Sequence, residues 1–497
     1  MKNIFYIYII LILTISCARD KGNYDYQEVN KLTILDSEGN NFSNKSYGLT
    51  YGEQLNIEPK ITGSLPTFNE SQLTFDWIVA GDTISHERKL SVNSQEIGTG
   101  SKYGKLVITD LSTQGKYSAN FTVNVSASIT QGTFLLVEDE SQQSHLVMKS
   151  INEGSPYLSF SEFNGYKLGK EPIGLEIGYK SLSLTSKSYL SVLTATKQGE
   201  NPIMITSLET LYPTLLYTKN TAMISGQTLE PTYVNIPSSK TQVNNMSGYV
   251  VVNGKVHQLA KGLISDDVYA EDPLDYNVGK SAVIPSTVLE GYFASVYDFK
   301  NNKIRLFGNG TNNRRLNFFD REYAELIPAN ATDGHSYLAS AEFFVSDWTF
   351  QYLTRKGNDL YSHNLNMFLV SPYAPKSFIT SGPKNIPNLD KATCFVYHNG
   401  MKFWYFAIGR TIYRFSNLGL DVQPYLTLPE DGTGDIVNWN FDINAASNFK
   451  KIGIATYDPA AGGALKGSYY LFDIATESFE TQDKYVTHKV VGLRVAL

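Results

Sequence analysis

The stretch GYFASVYDFKNNKIRLFGNG, residues 291–310, reads as two short apolar strands joined by the polar turn Lys300-Asn301-Asn302. Aromatic and β-branched residues fill the strands, and the Asn pair supplies turn chemistry. One hairpin cannot bury its own apolar faces, so it needs neighbours of the same kind. Such neighbours recur. NGKVHQLAKG begins at Asn253, NNKIRLFGNG at Asn301, KGNDLYSHNL at Lys356, IGRTIYRFSN at Ile408 and KGSYYLFDIA at Lys466. SQQSHLVMKS from Ser141 and GENPIMITSL from Gly199 are weaker copies. A second apolar strand often precedes the copy, as in KFWYFAIG (402–409) and FKKIGIATYD (449–458).

The strand centres fall at about 146, 204, 256, 304, 360, 412 and 470, a spacing of 48 to 58 residues. A hairpin per copy and a period near 50 fit four-stranded propeller blades. Residues 130–497 are therefore expected to form a β-propeller of about seven blades. Six or eight blades are the alternatives, and a solenoid is the structural alternative. HKVVGLRVAL (488–497) can finish a blade begun by QGTFLLVED (131–139), which would remove an open sheet edge. The alternative is that each strand belongs wholly to its own blade.

Residues 28–128 carry β-signals of another texture. KLTIL, EQLNIEPKI, LTFDWIV, KLSV, GKLVITDLS and GKYSANFTVNVSAS are short runs, several alternating with period two. In the last, Tyr117, Ala119, Phe121, Val123 and Val125 share one face. About seven such strands predict an immunoglobulin-like sandwich with Trp77 at its centre and a tyrosine-corner-like bend at Gly115-Lys116-Tyr117. The expected fold class is all-β: an Ig-like sandwich followed by a propeller.

Composition agrees with a folded β-protein: 42% hydrophobic, 18% charged, 13% aromatic, with 33 Tyr and 26 Phe. A net charge of −6 and no basic cluster beyond pairs such as Arg314-Arg315 argue against nucleic-acid binding. The two cysteines, Cys17 and Cys394, cannot make a disulfide framework or a zinc spacing. Cys394, within the run KATCFVYHNG, reads as a small buried hydrophobe.

The first 16 residues have a basic start (Lys2) and an apolar run too short to span a bilayer, so they read as a signal peptide. Leu13-Thr14-Ile15-Ser16-Cys17 resembles a bacterial lipobox, with Thr14 where Leu is commoner. Cys17 is then the lipidated residue, and residues 17–27 form the anchor and tether. Several acyl chains hold a protein at a membrane stably where one does not.

Catalytic spacing is missing: no H-E-x-x-H, G-x-S-x-G, P-loop or strand–helix G-x-G-x-x-G is present. The seven histidines are scattered, and His145, His257 and His363, on repeat strands or their ends, read as structural. Asp431-Gly432-Thr433-Gly434-Asp435 has metal-like texture but lacks the EF-hand spacing, so a tight solvated turn is expected. Asp266-Asp267 with Glu271-Asp272 reads as a solvated acidic loop. A paired-carboxylate glycosidase stays open, with no pair marked. The remaining candidates are aromatic platforms at Trp439, Trp348 and Trp404 for a sugar or a peptide side chain. No cofactor or metal is expected.

Cys17-Ala18-Arg19-Asp20-Lys21-Gly22-Asn23-Tyr24-Asp25-Tyr26, then Tyr51-Gly52-Glu53 and Phe75-Asp76-Trp77, resemble the PKD-like lipoproteins of Bacteroidetes. The resemblance implies an outer-membrane lipoprotein facing the cell exterior. It implies partners too: a SusC-like TonB-dependent transporter and a SusD-like lipoprotein, with the chain as a non-catalytic accessory or substrate-capture subunit for oligomeric glycans or peptides. The single early acid, Asp20, departs from the more acidic surface-export signals of this phylum. A propeller-type hydrolase or lyase and a purely structural subunit of the transporter assembly are the alternative functions.

Overall fold

The computed structural model describes residues 30–126, 131–150, 156–160, 162–163, 166–180, 189–208, 211–218, 228–235, 248–260, 263–267, 276–279, 284–285, 293–309, 316–318, 325–328, 330–368, 374–442 and 450–496. The expected signal peptide, Cys17 and its tether lie outside the described residues, as do Glu271 and Asp272. The chain divides into two compact units between Val125 and Ser126.

The first unit is a β-sandwich. Its five-stranded sheet runs Lys45–Thr50, Gly115–Ser126, Gly100–Asp110, Leu73–Val79, Asp82–Ser85 in spatial order. Two short ladders, Leu32–Leu35 with Lys60–Gly63 and Gln54–Ile57 with Leu90–Asn93, complete it. EQLNIEPKI, one run in sequence, is two strands in different ladders. The break falls at Glu58-Pro59, where proline has no N–H for a ladder. Alternation decides the core: Leu73, Phe75, Trp77 and Val79 are buried, and so are Ala119, Phe121, Val123 and Val125. Trp77 is fully buried, meets Phe42 and Phe121 edge-on at 6.1 and 5.8 Å, and donates its indole N–H to Glu87 O at 2.8 Å. The Tyr117 hydroxyl reaches the carbonyl of Asn30, 87 residues away, so it ties the last strand to the unit's first described residue rather than turning a local corner.

The second unit is a seven-bladed propeller. Six sheets have four strands in chain order. Blade 2 runs from Lys170–Lys180 to Pro213–Tyr217, blade 3 from Pro231–Asn235 to Leu263–Asp267, and blade 4 from Ile284–Pro285 to Leu316–Phe318. Blade 5 runs from Ser336–Phe344 to Pro375–Asn385, blade 6 from Thr393–His398 to Gln423–Thr427, and blade 7 from Asp435–Phe441 to Ser478–Thr487. Blade 1 is assembled from both ends of the unit. Lys489–Ala496 is its first strand and pairs antiparallel with Gly132–Glu138, which is followed by Ser144–Lys149 and Tyr157–Ser159. Closure by both ends is thus the observed arrangement. Every sequence repeat falls on the third strand of a blade, and the strand preceding it is the second.

These strands are apolar without alternation because both faces are covered. In blade 6, Trp404 and Phe406 pack with blade 5 residues Leu353 and Leu360, while Tyr405 and Ala407 pack with Ile436, Trp439 and Ile454 of blade 7. In blade 7, Tyr470 and Phe472 face blade 6, whereas Tyr469 and Leu471 join Leu135, Val137 and Leu493 of blade 1. First strands of neighbouring blades also touch. Asp442 and Val495 form a parallel bridge, Asn438 Nδ2 donates to Val491 O at 2.6 Å, and Cys394 Sγ donates to Val437 O at 3.1 Å. Cys394 is half-buried and free, and desolvation raises its thiol pKa above the ordinary range.

Candidate functional site

Antiparallel order puts two sets of loops on one face of the propeller: those between second and third strands, and those leading into each first strand. A cleft of about 270 Å³ opens there at the seam of blades 7 and 1. The second-to-third-strand turn of blade 1 contributes Glu138, Asp139, Glu140 and Gln142. The equivalent turn of blade 7 contributes Tyr457 and Ala464. His488 and Lys489 come from the start of the closing strand.

Asp139 organises the blade 1 turn. Its Oδ1 accepts from Ser141 N at 2.8 Å, Ser141 Oγ at 2.7 Å and Gln143 N at 2.9 Å, the local pattern by which Asp folds a turn. Its Oδ2 faces His145 Nε2 at 3.0 Å. Burial alone would raise this carboxyl, but the bonds from His145, Ser141 and Gln143 outweigh it and hold the group well below the carboxylate range. The His145 ring stacks on His488 at 5.8 Å, and burial, then the charge of His145, lower the His488 pKa. Glu140 meets Lys466 Nζ at 2.7 Å, which lowers its pKa, and Lys489 Nζ stands 3.9 Å from Glu138. Ser141 Oγ donates to Asp139 and not to His145, so this Asp–His–Ser neighbourhood does not form an activated-serine relay.

The three tryptophans proposed as platforms do not present surfaces. Trp348, Trp404 and Trp439 are each 1% exposed. Trp348 donates to Glu342 at 2.5 Å and Trp404 to Gln351 at 2.5 Å; Trp439 packs between Tyr405 and Phe441. Their area serves the blade seams, where a large aromatic fills the wedge between sheets.

The DGTGD turn is tight, with φ of +79° at Gly432 and +77° at Gly434, but it is more than a solvated turn. Asp431 is largely buried and accepts from Arg410 Nη2 at 2.7 Å, Thr433 Oγ1 at 2.8 Å and Tyr470 Oη at 2.5 Å. Burial opposes its ionisation, yet the bonds from Tyr470 and Thr433 and the Arg410 charge lower its pKa to about 2. A Cβ on Gly434 would lie 2.1 Å from the Tyr457 carbonyl, so this glycine lets the turn press against the cleft wall. Among the described residues, no three His, Cys, Asp or Glu are grouped as metal ligands, and no helix is long and apolar enough to cross a membrane.

Fold and cleft define a class: a two-unit all-β protein, sandwich plus propeller, with a polar cleft at the propeller's closing seam. Comparisons extend this. Residues 17–172 match the model of the PKD-like family, a match that passes the boundary at Val125 and runs through blade 1. No curated protein matches the sequence. Among solved structures, a quinoprotein alcohol dehydrogenase-like protein from Bacteroides thetaiotaomicron is 14% identical with a TM-score of 0.50, over 89% of this chain and 94% of that one. The extracellular domain of a candidate one-component system from B. thetaiotaomicron gives 9% and 0.39, over 88% and 59%. The WD40 domain of SCAP from fission yeast gives 10% and 0.33, over 72% and 89%. The first of these likenesses is one of fold.

Sequence reading missed the cleft. Its signal lay in the predicted closure, which sets EDESQQ (138–143) beside HK (488–489).

Proposed function

We propose that this chain is a lipid-anchored, non-catalytic capture subunit on the outer face of the outer membrane, working beside a SusC-like TonB-dependent transporter and a SusD-like lipoprotein in the uptake of oligomeric nutrients. The observation that carries the reading is that the PKD-like family match begins at Cys17, the residue that closes the lipobox. The anchor then holds the body at the membrane, and the propeller offers a cleft for part of a ligand. The test is affinity purification of the full chain from detergent-solubilised membranes, with partners identified by mass spectrometry. The expected result is co-purification of a TonB-dependent transporter and a SusD-like protein. It should be lost for Cys17→Ser, which leaves the body unanchored. Recovery of the chain alone from intact membranes overturns the reading.

A further inference from the structure

We propose that the cleft between blades 7 and 1 is a binding subsite for one unit of a neutral polysaccharide; the inference rests on the capture reading and names its ligand. Charge balance is the first argument. Each carboxylate facing the cleft already has a cationic or imidazole neighbour: Asp139 has His145 at 3.0 Å, Glu140 has Lys466 at 2.7 Å, and Glu138 has Lys489 at 3.9 Å. Lys466 and Lys489 thus match two of the three carboxylates, and Asp139 has both oxygens engaged by Ser141, Gln143 and His145. The lining therefore presents no unengaged carboxylate for a cation and no unengaged lysine for a phosphate or a charged peptide end. Such pairs still offer acceptors and donors in fixed places, which suits a ring of hydroxyl groups.

Shape is the second argument. Drug-sized pockets run from about 300 to 1,000 Å³, and this cleft, at about 270 Å³, falls just below them. That leaves room for a single monomer-sized unit of a longer chain that continues across the propeller face. Tyr457, a half-buried tyrosine, lines the blade 7 side, while the polar residues of 138–142 line the blade 1 side. A sugar has the same two-sided character, an apolar C–H face and a polar edge.

Position is the third. The lining residues come from Gly132–Glu138 and its turn, from blade 7 and from the closing strand, so an occupant spans the seam at which the ring is shut. Binding there opposes opening of the seam and should raise the melting temperature by mass action.

The test uses the full chain in detergent. Maltohexaose, cellohexaose, xylohexaose and mannohexaose are titrated by calorimetry and thermal shift, beside a neutral hexapeptide and hexagalacturonate. The expected result is saturable binding and a raised melting temperature with at least one neutral hexaose. Affinity should fall at least about tenfold for Tyr457→Ala, about 1.4 kcal/mol or more, and measurably for Glu140→Gln, whose exposed side chain should leave folding intact. Tyr103→Ala, on the sandwich, should bind like the parent. No binding by any neutral hexaose overturns the proposal, as does peptide or hexagalacturonate binding that Tyr457→Ala abolishes. Failure here with the transporter still co-purifying leaves the uptake reading standing. Sugar binding without a transporter leaves this site standing and removes the uptake reading.

Discussion

The indole N–H of Trp404 donates to the side-chain oxygen of Gln351 at 2.5 Å across the seam between blades 6 and 5. The amide nitrogen of the same glutamine donates to Ser362 Oγ and to Asn417 O, each at 2.8 Å. Gln351 is fully buried, so all its polar valences are met inside protein. Gln351→Leu keeps the approximate volume but strands the indole N–H and the Asn417 carbonyl. A buried group left unpaired costs about 1–3 kcal/mol, so a loss on the order of 3 kcal/mol is expected. Urea denaturation followed by Trp fluorescence measures it. A loss under about 1 kcal/mol would mean that water reaches the seam.

Closure of the ring makes a second prediction. Gly492 on the closing strand faces blade 2, and a Cβ there would lie 2.7 Å from Leu175 Cβ. Two positions on, Arg494 forms a paired hydrogen bond to Glu176, at 2.6 and 3.2 Å. Gly492→Val should force the closing strand away from blade 2 and destabilise by about 1–3 kcal/mol or more. Glu176→Gln, at a partly exposed pair, should cost about 1 kcal/mol or less and depend on salt. Hydrogen exchange separates them: Gly492→Val should accelerate exchange in 132–138 and 489–496, whereas Glu176→Gln should leave both slow. Unchanged exchange in Gly492→Val would show that the backbone absorbs the methyl groups without opening the seam.

The repeat was legible because the third strand of each blade combines two constraints that sequence records. It follows a tight polar turn, as at Asn253-Gly254 and Asn301-Asn302, and it is covered on both faces, so its apolar residues run together. First strands and sandwich edges carry weaker marks. Lys45–Thr50 alternates half-buried and exposed residues and Asp82–Ser85 is exposed or half-buried, so neither has a buried residue and neither stood out as KSYGLT or DTIS. Trp348, Trp404 and Trp439 show a further limit. Both a seam and a ligand platform demand a large aromatic, and only the register of one blade against the next decides which. Cleft residues such as Asp139 and His488 lie far apart in sequence and meet only when the closing strand pairs with Gly132–Glu138.

The last prediction concerns acid. His363 is fully buried and bonded to Thr354 and Thr380 hydroxyls at 2.9 and 3.0 Å, with the Phe378 ring stacked 6.0 Å away. Burial first, and then the nearby His335, lower its pKa from 6.5 to about 4. Lys356 and Asp333 act on His335 in opposite senses. The unfolded chain takes up this proton near pH 6.5, while the folded protein refuses it until about pH 4. Between those values the unfolded state binds more protons, so stability falls as pH falls. The complete loss is on the order of 3 kcal/mol. Asp431 opens a second window with the other chemistry: its folded pKa of about 2 lies below the ordinary 3.8, so its contribution holds above pH 3.8 and is lost on the way down to 2. His363→Gln can still bridge the two threonines and cannot titrate. Its melting temperature should therefore be flatter than the parent's between pH 6.5 and 4, and should fall with the parent's below 3.8. A variant that keeps the parent's full slope between pH 6.5 and 4 would show that the neutral imidazole of His363 is not the source of the acid sensitivity.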